Sequence, residues 1–599
     1  MEKKNLEYLA SLRKTMADHA IDAVVISSTD PHQSELPPAH WRGREWLTGF
    51  ASENGTSGTA VVTADQAYVW TDNRYFIQAT EQLQGTGFSM MPEDGPNAVN
   101  LIDWLVEHLN SGQTVGIDGM TFSVSYAQRL EQELNDNGMK LNDNFNVFEY
   151  IYPDRPERPK NKIFIHDEKI VGQDVNQKMD AINAEVKAEL ANAVLLSALD
   201  DIAWATNLRA ANDIPFSPVY LSFLYVSPTE RVLFVDSDKL TPEVEDHLKK
   251  YNIEVKPYDA VLDFVATLPK DVRLLLDPQK TARGIYDKVG CTPVFGGDAI
   301  SKLKSIKNQT MLANLELAME KDGVALVKFF MLVEDQYPSG KLTEVGLGKT
   351  LRALRLADPS CVDESFAPII GWNAHAALPH YEATAETDVA IEGNGLLLVD
   401  SGGQYTYGTT DITRTVALGT PTAEEIHDFT LVMKGNIALS TIKFPTGTRG
   451  SQLDILARQY LWDEGKAYFH GTGHGVGFFI NCHEGPQAIR TQENPAVLEA
   501  GMVSSNEPGI YFEGRYGIRC ENMMACEPWK TTEFGPFLQF RTLTLFPFDL
   551  RLFDTSMMTD AEIKWVNDYH TEVRNRLTPL LTPDEAAWLA KKTATLTKA

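Results

Sequence analysis

Five residues in the C-terminal part of the chain constrain its fold most. They lie in the segments LLLVDSGGQY, GTTDITRT, GTGHGVG and SSNEPGIYFEGRYGIRCEN, and they are Asp400, Asp411, His474, Glu507 and Glu521. A buried carboxylate is costly unless it is paired or bound to a metal ion. Four carboxylates and one imidazole suit two divalent cations about 3.5–4 Å apart, as in two-metal hydrolytic sites. The chain is therefore predicted to bring these distant segments together.

The spacing of the acids predicts two strand connections. Asp400 ends one apolar run and Asp411 begins the next β-prone run, so a hairpin would place both carboxylates at one end of a sheet. Turn aspartates are common, and only the full set of five favours metal. Glu507 and Glu521 flank a glycine-rich connection. Arg519 lies two residues before Glu521 and so on the same strand face, where it can orient a bridging carboxylate.

The histidines fit this interpretation better than the alternatives. His470 and His474 have HxxxH spacing, but the surrounding glycines disfavour a helix and no glutamate follows the first histidine. The glycine-rich segment also lacks the lysine of a phosphate-binding loop, so nucleotide binding is not expected. His380, in ALPHYEAT, and His483, in NCHEGP, lie beside turns among small residues, as in the wall of a cleft. Carboxylate-rich ligands suit Mn²⁺, with Co²⁺, Fe²⁺ or Zn²⁺ as alternatives.

Composition limits the setting and the partners of the chain. The net charge of −28 argues against nucleic acid or an anionic membrane as a partner. Five cysteines without a CxxC pair suit a reduced, cytoplasmic setting. The N-terminal segment lacks the features of a secretory signal peptide, and no apolar run is long enough for a membrane span.

The length of 599 residues predicts several domains. The proline-rich segment YPDRPERPK reads as a linker, and a long helical pattern follows a second boundary near residue 306. The first two segments share a strand–turn–strand pattern, which predicts two related α/β domains, although chance similarity is an alternative. The third predicts an α+β domain with an antiparallel sheet. Two closing helices are expected to start at Asp560 and Asp584. The predicted domains are 1–152, 153–306, 307–550 and a helical extension, 551–599.

The metal-site segments resemble those of the metallopeptidases that share the pita-bread fold, namely methionine aminopeptidases, prolidases and aminopeptidase P. Five motifs are most similar to those of aminopeptidase P, namely GTTDITRT, GTGHGVG, HEGP, NEPGIY and GIRCEN. The similarity extends to the three-domain form of that family through DPHQSE, WTDNRYF, DDIAWATNLR and WVNDYH. It implies two creatinase N-terminal-like α/β domains, followed by a pita-bread catalytic domain with a helical C-terminal extension.

The resemblance also implies a role for each site residue. Asp400 would bind one metal ion, Asp411 and Glu521 would bridge two, and His474 and Glu507 would bind the second. Glu507 would also shuttle a proton. The residues implied to hydrogen-bond the substrate and transition state are His380 and His483, and those implied to contact or approach the substrate are His470, Glu35 and Arg74.

The implied reaction is release of an N-terminal residue when proline is second, by attack of a hydroxide that bridges two divalent cations. The resemblance also predicts a homodimer formed through the catalytic domain. An aromatic-rich ending would suit such an interface, although packing within one chain would explain it equally well; its rings are Phe546, Phe548, Phe553, Trp565 and Trp588. A prolidase, which cleaves only dipeptides, and a non-enzymatic peptide-binding module on the same fold are the alternatives.

Overall fold

The computed structural model describes residues 2–51, 58–95 and 97–598. Contacts divide the chain into two compact units. The first unit comprises Met1–Ile165, Gln173–Pro215 and Val219–Ile300, and the second comprises His166–Gly172, Phe216–Pro218 and Ser301–Ala599. The predicted domain boundaries stay predictions. Within the described ranges, none of the helices combines the length and the apolar character that crossing a bilayer requires.

The α-helices of the described chain follow in sequence order. They are α1 (Glu2–Asp18), α2 (Gly43–Thr48), α3 (Phe76–Gln82), α4 (Leu101–His108), α5 (Val124–Asp136), α6 (Phe148–Ile151), α7 (Glu168–Val171), α8 (Val175–Ala188), α9 (Leu199–Thr206), α10 (Pro242–Lys250), α11 (Val261–Thr267), α12 (Arg283–Tyr286), α13 (Asp298–Ser305), α14 (Gln309–Gln336), α15 (Glu344–Leu356), α16 (Ala423–Thr441), α17 (Gly450–Trp462), α18 (Asp560–Leu577) and α19 (Pro583–Lys592).

The β-strands follow in the same way. They are β1 (Ala23–Ile26), β2 (Thr59–Thr63), β3 (Ala67–Thr71), β4 (Ser89–Pro92), β5 (Thr114–Gly116), β6 (Lys140–Asn142), β7 (Ile163–Ile165), β8 (Ala193–Leu196), β9 (Leu208–Ala210), β10 (Phe223–Val226), β11 (Arg231–Phe234), β12 (Glu254–Lys256), β13 (Arg273–Leu276), β14 (Thr292–Phe295), β15 (Cys361–Glu364), β16 (Ile369–Trp372), β17 (Gly395–Ser401), β18 (Gly403–Tyr405), β19 (Gly408–Thr409), β20 (Ile412–Leu418), β21 (Lys443–Pro445), β22 (Gly473–Val476), β23 (His483–Ile489), β24 (Val503–Asn506), β25 (Gly509–Phe512), β26 (Tyr516–Arg519), β27 (Asn522–Thr532) and β28 (Gly535–Thr542).

The first unit contains two six-stranded sheets of the same topology, ordered β4-β3-β2-β1-β5-β6 and β12-β11-β10-β8-β13-β14. In each sheet the central strand, β1 or β8, pairs antiparallel on one side and parallel on the other. The repeated pattern in the sequence corresponds to the hairpins β2–β3 and β10–β11. The shared order and pairing therefore confirm the prediction of two α/β domains of related fold.

The second unit is built on antiparallel sheets. Its largest sheet has the order β21-β28-β27-β24-β22-β23, and a three-stranded sheet has the order β16-β17-β20. Strands β25 and β26 form a separate hairpin between β24 and β27. Helices α14 and α16 contribute buried apolar side chains, such as Leu326, Phe329 and Phe429, to the core that these sheets share. The predicted α+β domain is confirmed, and its sheets place four chain segments at one site.

The aromatic-rich ending belongs to this core. Phe546, Phe548 and Phe553 are buried, and Trp565 and Trp588 pack against the same cluster. The apolar side chains of α18 also face inward. They form a stripe along the helix and pack against α14. These rings therefore stabilise the second unit itself, and they do not support the predicted dimer interface.

The closing helices begin at Asp560, as predicted, and at Pro583, and a threonine caps each of them. The hydroxyls of Thr559 and Thr582 accept hydrogen bonds from the backbone N–H of Glu562 and Glu585, and both pairs form capping boxes. Asp560 is the first residue of α18, and α19 begins at a proline one residue earlier than predicted. Proline suits the first helical position because its missing N–H would have no partner there.

Candidate metal centre

Two antiparallel strands bring the aspartates together. Asp400 lies in β17 opposite Thr413 of β20. Asp411 directly precedes β20, so its carboxylate lies at the same end of the sheet as that of Asp400. The hairpin predicted from sequence is interrupted by β18 and β19, which occupy the connection.

The largest sheet supplies the histidine and one glutamate. His474 lies in β22, and this strand pairs with β24 through Gly475 and Ser504. Glu507 directly follows β24, and its backbone N–H donates to the carbonyl of Thr472 at 2.8 Å. The side chains of His474 and Glu507 therefore meet at the end of two neighbouring strands.

Glu521 connects the two sheets. It lies between β26 and β27, and its backbone N–H donates to the carbonyl of Thr413 at 3.1 Å. The hydroxyl of Thr413 in turn donates to Glu521 Oε2 at 2.7 Å. Both bonds hold Glu521 beside the aspartate end of β20.

The candidate ligand atoms are close enough to share cations. His474 Nε2 lies 3.4 Å from Asp411 Oδ2 and 3.5 Å from Glu507 Oε1. One ligand atom from each of Asp411, His474 and Glu521 lies within 4.8 Å of the others. Asp400, Asp411 and Glu521 are buried, whereas His474 and Glu507 remain partly exposed. The structure thus brings together all five residues singled out in the sequence.

Two buried carboxylate oxygens test whether this cluster fits metal ions. Asp400 Oδ1 and Glu521 Oε1 have no hydrogen-bond partner. Leaving a charged acceptor buried and unpaired is expensive, and a divalent cation is the ordinary partner of such oxygens. The donor set of four carboxylates and one imidazole therefore fits divalent metal ions.

Burial and close contacts between charged groups shift the pKa values of these side chains. Burial, together with the charges of Asp411 and Asp400, raises the pKa of Glu507 to about 7. Burial and the neighbouring carboxylates raise the pKa of Glu521 well above its usual value. Burial opposes the charged imidazole of His474, but Asp411 and Glu507 outweigh it and raise its pKa to about 9. The cluster therefore attracts positive charge, whether protons or metal cations.

Arg519 organises one side of the cluster. Its guanidinium donates to Asp400 Oδ2 at 2.6 Å, to the hydroxyl of Tyr511 at 2.8 Å and to the carbonyl of Pro379 at 3.2 Å. Its carboxylate partner is thus Asp400 and not the neighbouring Glu521. The reason is local: β26 ends at Arg519 and β27 begins after Glu521, so the alternation of strand faces does not continue between the two residues.

The other three histidines predicted for the site lie in segments that connect to this cluster. The ring of His483 lies 4.4 Å from the ring of His474, and its side chain is exposed. His470 Nε2 lies 2.8 Å from the hydroxyl of Tyr511, the group that also binds Arg519. His380 directly follows Pro379, whose carbonyl accepts from Arg519. Contacts with ligands or their hydrogen-bond partners thus connect all three histidine segments to the centre.

Glu35 and Arg74 lie in the first unit. Arg74 pairs with Asp72 through two hydrogen bonds of 2.7 and 2.8 Å. Burial opposes the charged guanidinium, but Asp72, together with Glu35, outweighs it and raises the pKa of Arg74 above its usual value. The two residues are therefore electrostatic neighbours, and their role in substrate binding stays a prediction.

Two residues of the site were not singled out from the sequence. Thr413 holds Glu521, and Tyr511 joins His470 to Arg519. Thr413 lies two residues after Asp411, so the alternation of a β-strand was a usable signal. Tyr511 gave no local signal, because its partners come from other strands.

Models of known families match four consecutive parts of the chain. Residues 9–149 and 154–311 each match a creatinase/prolidase N-terminal domain. Residues 313–528 match metallopeptidase family M24, and residues 536–596 match the C-terminal region of that family. The fold class expected from the sequence is confirmed.

Similar proteins cover almost the whole chain. A probable Xaa-Pro aminopeptidase P of Neosartorya fischeri is 37% identical over 99% of this chain and 93% of its own length. Aminopeptidase P2 of Arabidopsis thaliana is 37% identical over 99% of this chain and 89% of its own length. A crystal structure of X-prolyl aminopeptidase from Caenorhabditis elegans, described as a cytosolic enzyme with a dinuclear active site, is 32% identical and covers 99% of both chains with a TM-score of 0.93. With this similarity along its length and a cluster of candidate metal ligands in its M24 region, the chain belongs to the aminopeptidase P family of M24 metallopeptidases.

Proposed function

We propose that this chain is a metal-dependent aminopeptidase that releases the N-terminal residue from peptides with proline in the second position. The observation that carries the proposal is the convergence of Asp400, Asp411, His474, Glu507 and Glu521, with two buried carboxylate oxygens that lack partners. Relatives that are 37% identical and carry the names Xaa-Pro aminopeptidase P and aminopeptidase P2 support the substrate class.

Two divalent ions would be held by these five side chains, with Asp411 and Glu521 in the bridging positions. When bound, they would supply Lewis-acid polarisation of a carbonyl and a water of lowered pKa. Because four of the five ligands are carboxylates, we propose Mn²⁺ as the metal. The relative from Caenorhabditis elegans is described as having a dinuclear active site, which supports two ions here.

Side chains of the protein would transfer the proton and orient the peptide. Glu507 would take up the proton that hydrolysis releases and pass it to the leaving nitrogen. The exposed His483 and the half-buried His380 would donate hydrogen bonds to the peptide. His470, held by Tyr511, would contact the substrate from the other side.

Proline in the second position changes what the site must provide. The nitrogen of the scissile bond in Xaa-Pro has no N–H, so no acceptor is needed for it. Phe478, Phe479 and Ile480 are buried beside the strand that begins at His483. These side chains would support a wall behind the site, and the proline ring of the substrate could pack against that wall.

A matched tripeptide series tests the substrate class. Arg-Pro-Pro is expected to be cleaved, with release of one residue only, about 15- to 60-fold faster than Arg-Ala-Pro, because burying two or three ring methylenes contributes roughly 0.8 kcal/mol each. Mass spectrometry of the products measures both rate and position. A protein that hydrolyses the dipeptide Arg-Pro but no tripeptide would be a prolidase, and one that binds these peptides without cleaving them would be a binding module.

Metal removal should make stability depend on pH. Without metal, the folded protein binds more protons than the unfolded chain, because the pKa values of Glu507, about 7, and His474, about 9, exceed their unfolded values of about 4.3 and 6.5. The unfolding free energy of the chelated protein should therefore fall as pH rises from about 5 to 8. Calorimetry should show that Mn²⁺ raises Tm more at pH 8 than at pH 5.5. Equal Tm gains at both pH values would contradict metal binding by this cluster.

We also propose a cytoplasmic homodimer. All five cysteines are free thiols, which suits a reducing compartment, and the relative from Caenorhabditis elegans is described as cytosolic. The exposed rings of the second unit, among them Trp462, Phe469, Trp529 and Phe534, are more accessible to a partner than the buried rings of the C-terminal segment.

A further inference from the structure

The WVNDYH segment lies in α18, and none of its residues belongs to the centre described above. Two of its polar side chains, Tyr569 and His570, are buried. The hydroxyl of Tyr569 accepts a hydrogen bond of 2.9 Å from Nη2 of Arg414. Arg414 lies in β20, three residues after Asp411. The C-terminal extension therefore contacts a strand of the metal centre directly.

Arg414 connects this contact to a candidate ligand. Its guanidinium donates through Nη1 to the main-chain carbonyl of Glu521 and through Nη2 to Asn522 Oδ1, the latter at 2.8 Å. Nη1 also donates to the carbonyl of Thr413 at 3.0 Å. Thr413 is the residue whose hydroxyl donates to Glu521 Oε2. One buried side chain thus holds both the backbone of Glu521 and the residue that orients its carboxylate.

The opposite side of Arg414 is held by the segment that precedes α18. Nη2 donates to the carbonyl of Phe546 at 2.6 Å and Nε to the carbonyl of Pro547 at 3.2 Å. The guanidinium carbon lies 3.9 Å from the centre of the Phe548 ring. These partners are neutral oxygens and an aromatic face, so the position of the guanidinium depends on hydrogen-bond geometry.

Tyr569 and His570 fix this segment in turn. The hydroxyl of Tyr569 lies 2.9 Å from the carbonyls of both Thr544 and Phe546. His570 Nε2 accepts from the backbone N–H of Phe548 at 3.0 Å. Burial, reinforced by the charge of Arg414, lowers the pKa of His570 to about 3, so the imidazole is neutral and can accept. The two adjacent residues therefore define where the acceptors of Arg414 lie.

We propose that Tyr569 is a positioning residue of the metal centre, which acts through Arg414 on the main chain of Glu521. The C-terminal extension is then part of the structure that holds a bridging ligand in place. This inference rests on the proposed function, because Glu521 is a metal ligand only there. Its physical basis is that metal ligands must be held within about 0.5 Å of their working positions. Loss of the Tyr569 hydroxyl removes one of the three oxygens that accept from Nη2 of Arg414. It also removes the bonds that hold the carbonyls of Thr544 and Phe546, so an acceptor of the guanidinium can shift.

The test is metal binding by the chelated protein. The variant Tyr569→Phe keeps the ring and removes only the hydroxyl, so circular dichroism should be unchanged. Titration with Mn²⁺ alone, followed by calorimetry, should show affinity weakened by about 10- to 100-fold, the range for residues that support metal ligands. The matched control is Tyr405→Phe, because the hydroxyl of Tyr405 is also buried and donates to Asp322 Oδ1 at 3.0 Å. This control should bind Mn²⁺ with the affinity of the unmodified protein.

A second pair of variants tests the same connection at His570. The variant His570→Ala removes the acceptor for Phe548 and should also weaken Mn²⁺ binding. In contrast, His570→Gln offers an amide oxygen to the same N–H and should restore most of the affinity. Mn²⁺ affinity that is the same in Tyr569→Phe, His570→Ala and Tyr405→Phe would overturn the inference while leaving the proposed function intact. An unmodified protein that binds no Mn²⁺ would overturn both.

Discussion

Replacing Asp411 with asparagine, or Glu521 with glutamine, is expected to lower kcat/KM by at least about 10³-fold, because Lewis-acid stabilisation worth several kcal/mol depends on both carboxylates. A neutral amide offers one oxygen but no charge, so it cannot bridge and neutralise two cations. Asp411 Oδ2 faces His474 Nε2 at 3.4 Å, and Glu521 Oε1 has no other partner. Both substitutions therefore act at the centre of the cluster.

The fold should survive the substitution of Glu521. Burial and neighbouring carboxylates raise the pKa of Glu521 well above its usual value, so its charge destabilises the metal-free protein. The chelated Glu521→Gln variant should accordingly unfold at the same Tm as the chelated unmodified protein at pH 8, or at a higher one. Its gain in Tm on addition of Mn²⁺ should be much smaller.

A matched control lies in the strand that follows Glu521. Glu527 in β27 is only partly buried and pairs with Arg541 at 3.1 Å, away from the cluster. The variant Glu527→Gln should keep full activity, since surface ion pairs contribute little. Metal analysis accompanies the kinetics. Substantial turnover in Asp411→Asn or Glu521→Gln, with two metal ions still bound, would refute the dinuclear arrangement.

Replacing His483 or His380 with alanine is expected to lower kcat by about 10²–10⁴-fold while metal content stays unchanged. His483 begins β23 opposite Val476, and its ring lies 4.4 Å from that of His474, so it can reach a peptide bound at the cluster. His380 sits between Pro379, held by Arg519, and Tyr381, whose hydroxyl donates to Glu344 at 2.8 Å. Strand pairing therefore holds the segment of His483, and hydrogen bonds hold the residues on either side of His380.

The control for these variants is His427, which pairs with Glu464 in the same unit at 2.8 Å. The variant His427→Ala should keep normal kcat. Metal content separates the two roles a histidine can have here. If His483→Ala or His380→Ala loses a metal ion, that histidine is a ligand, and the proposed hydrogen bonding to substrate is wrong.

Local sequence patterns were enough to identify the candidate metal ligands. Asp400, Asp411, His474, Glu507 and Glu521 stood out because a charge or imidazole beside a strand-like apolar run, near glycine turns, has few structural explanations. The duplicated hairpins and the antiparallel third domain followed from residue alternation, which depends only on neighbours in the chain. Such patterns determined the fold class and the candidate ligands.

Tertiary structure decided how these residues are held. Arg519 pairs with Asp400, 119 residues away, and Arg414 joins Glu521 to Tyr569, which lies 155 residues beyond Arg414. These partners depend on strand register, and a shift of one residue would turn every side chain to the other face. The aromatic ending likewise suggested an interface until packing against α14 placed it in the core. The sequence alone therefore indicated which residues are candidate metal ligands. The pairing of distant strands and helices decided which other residues hold them in place.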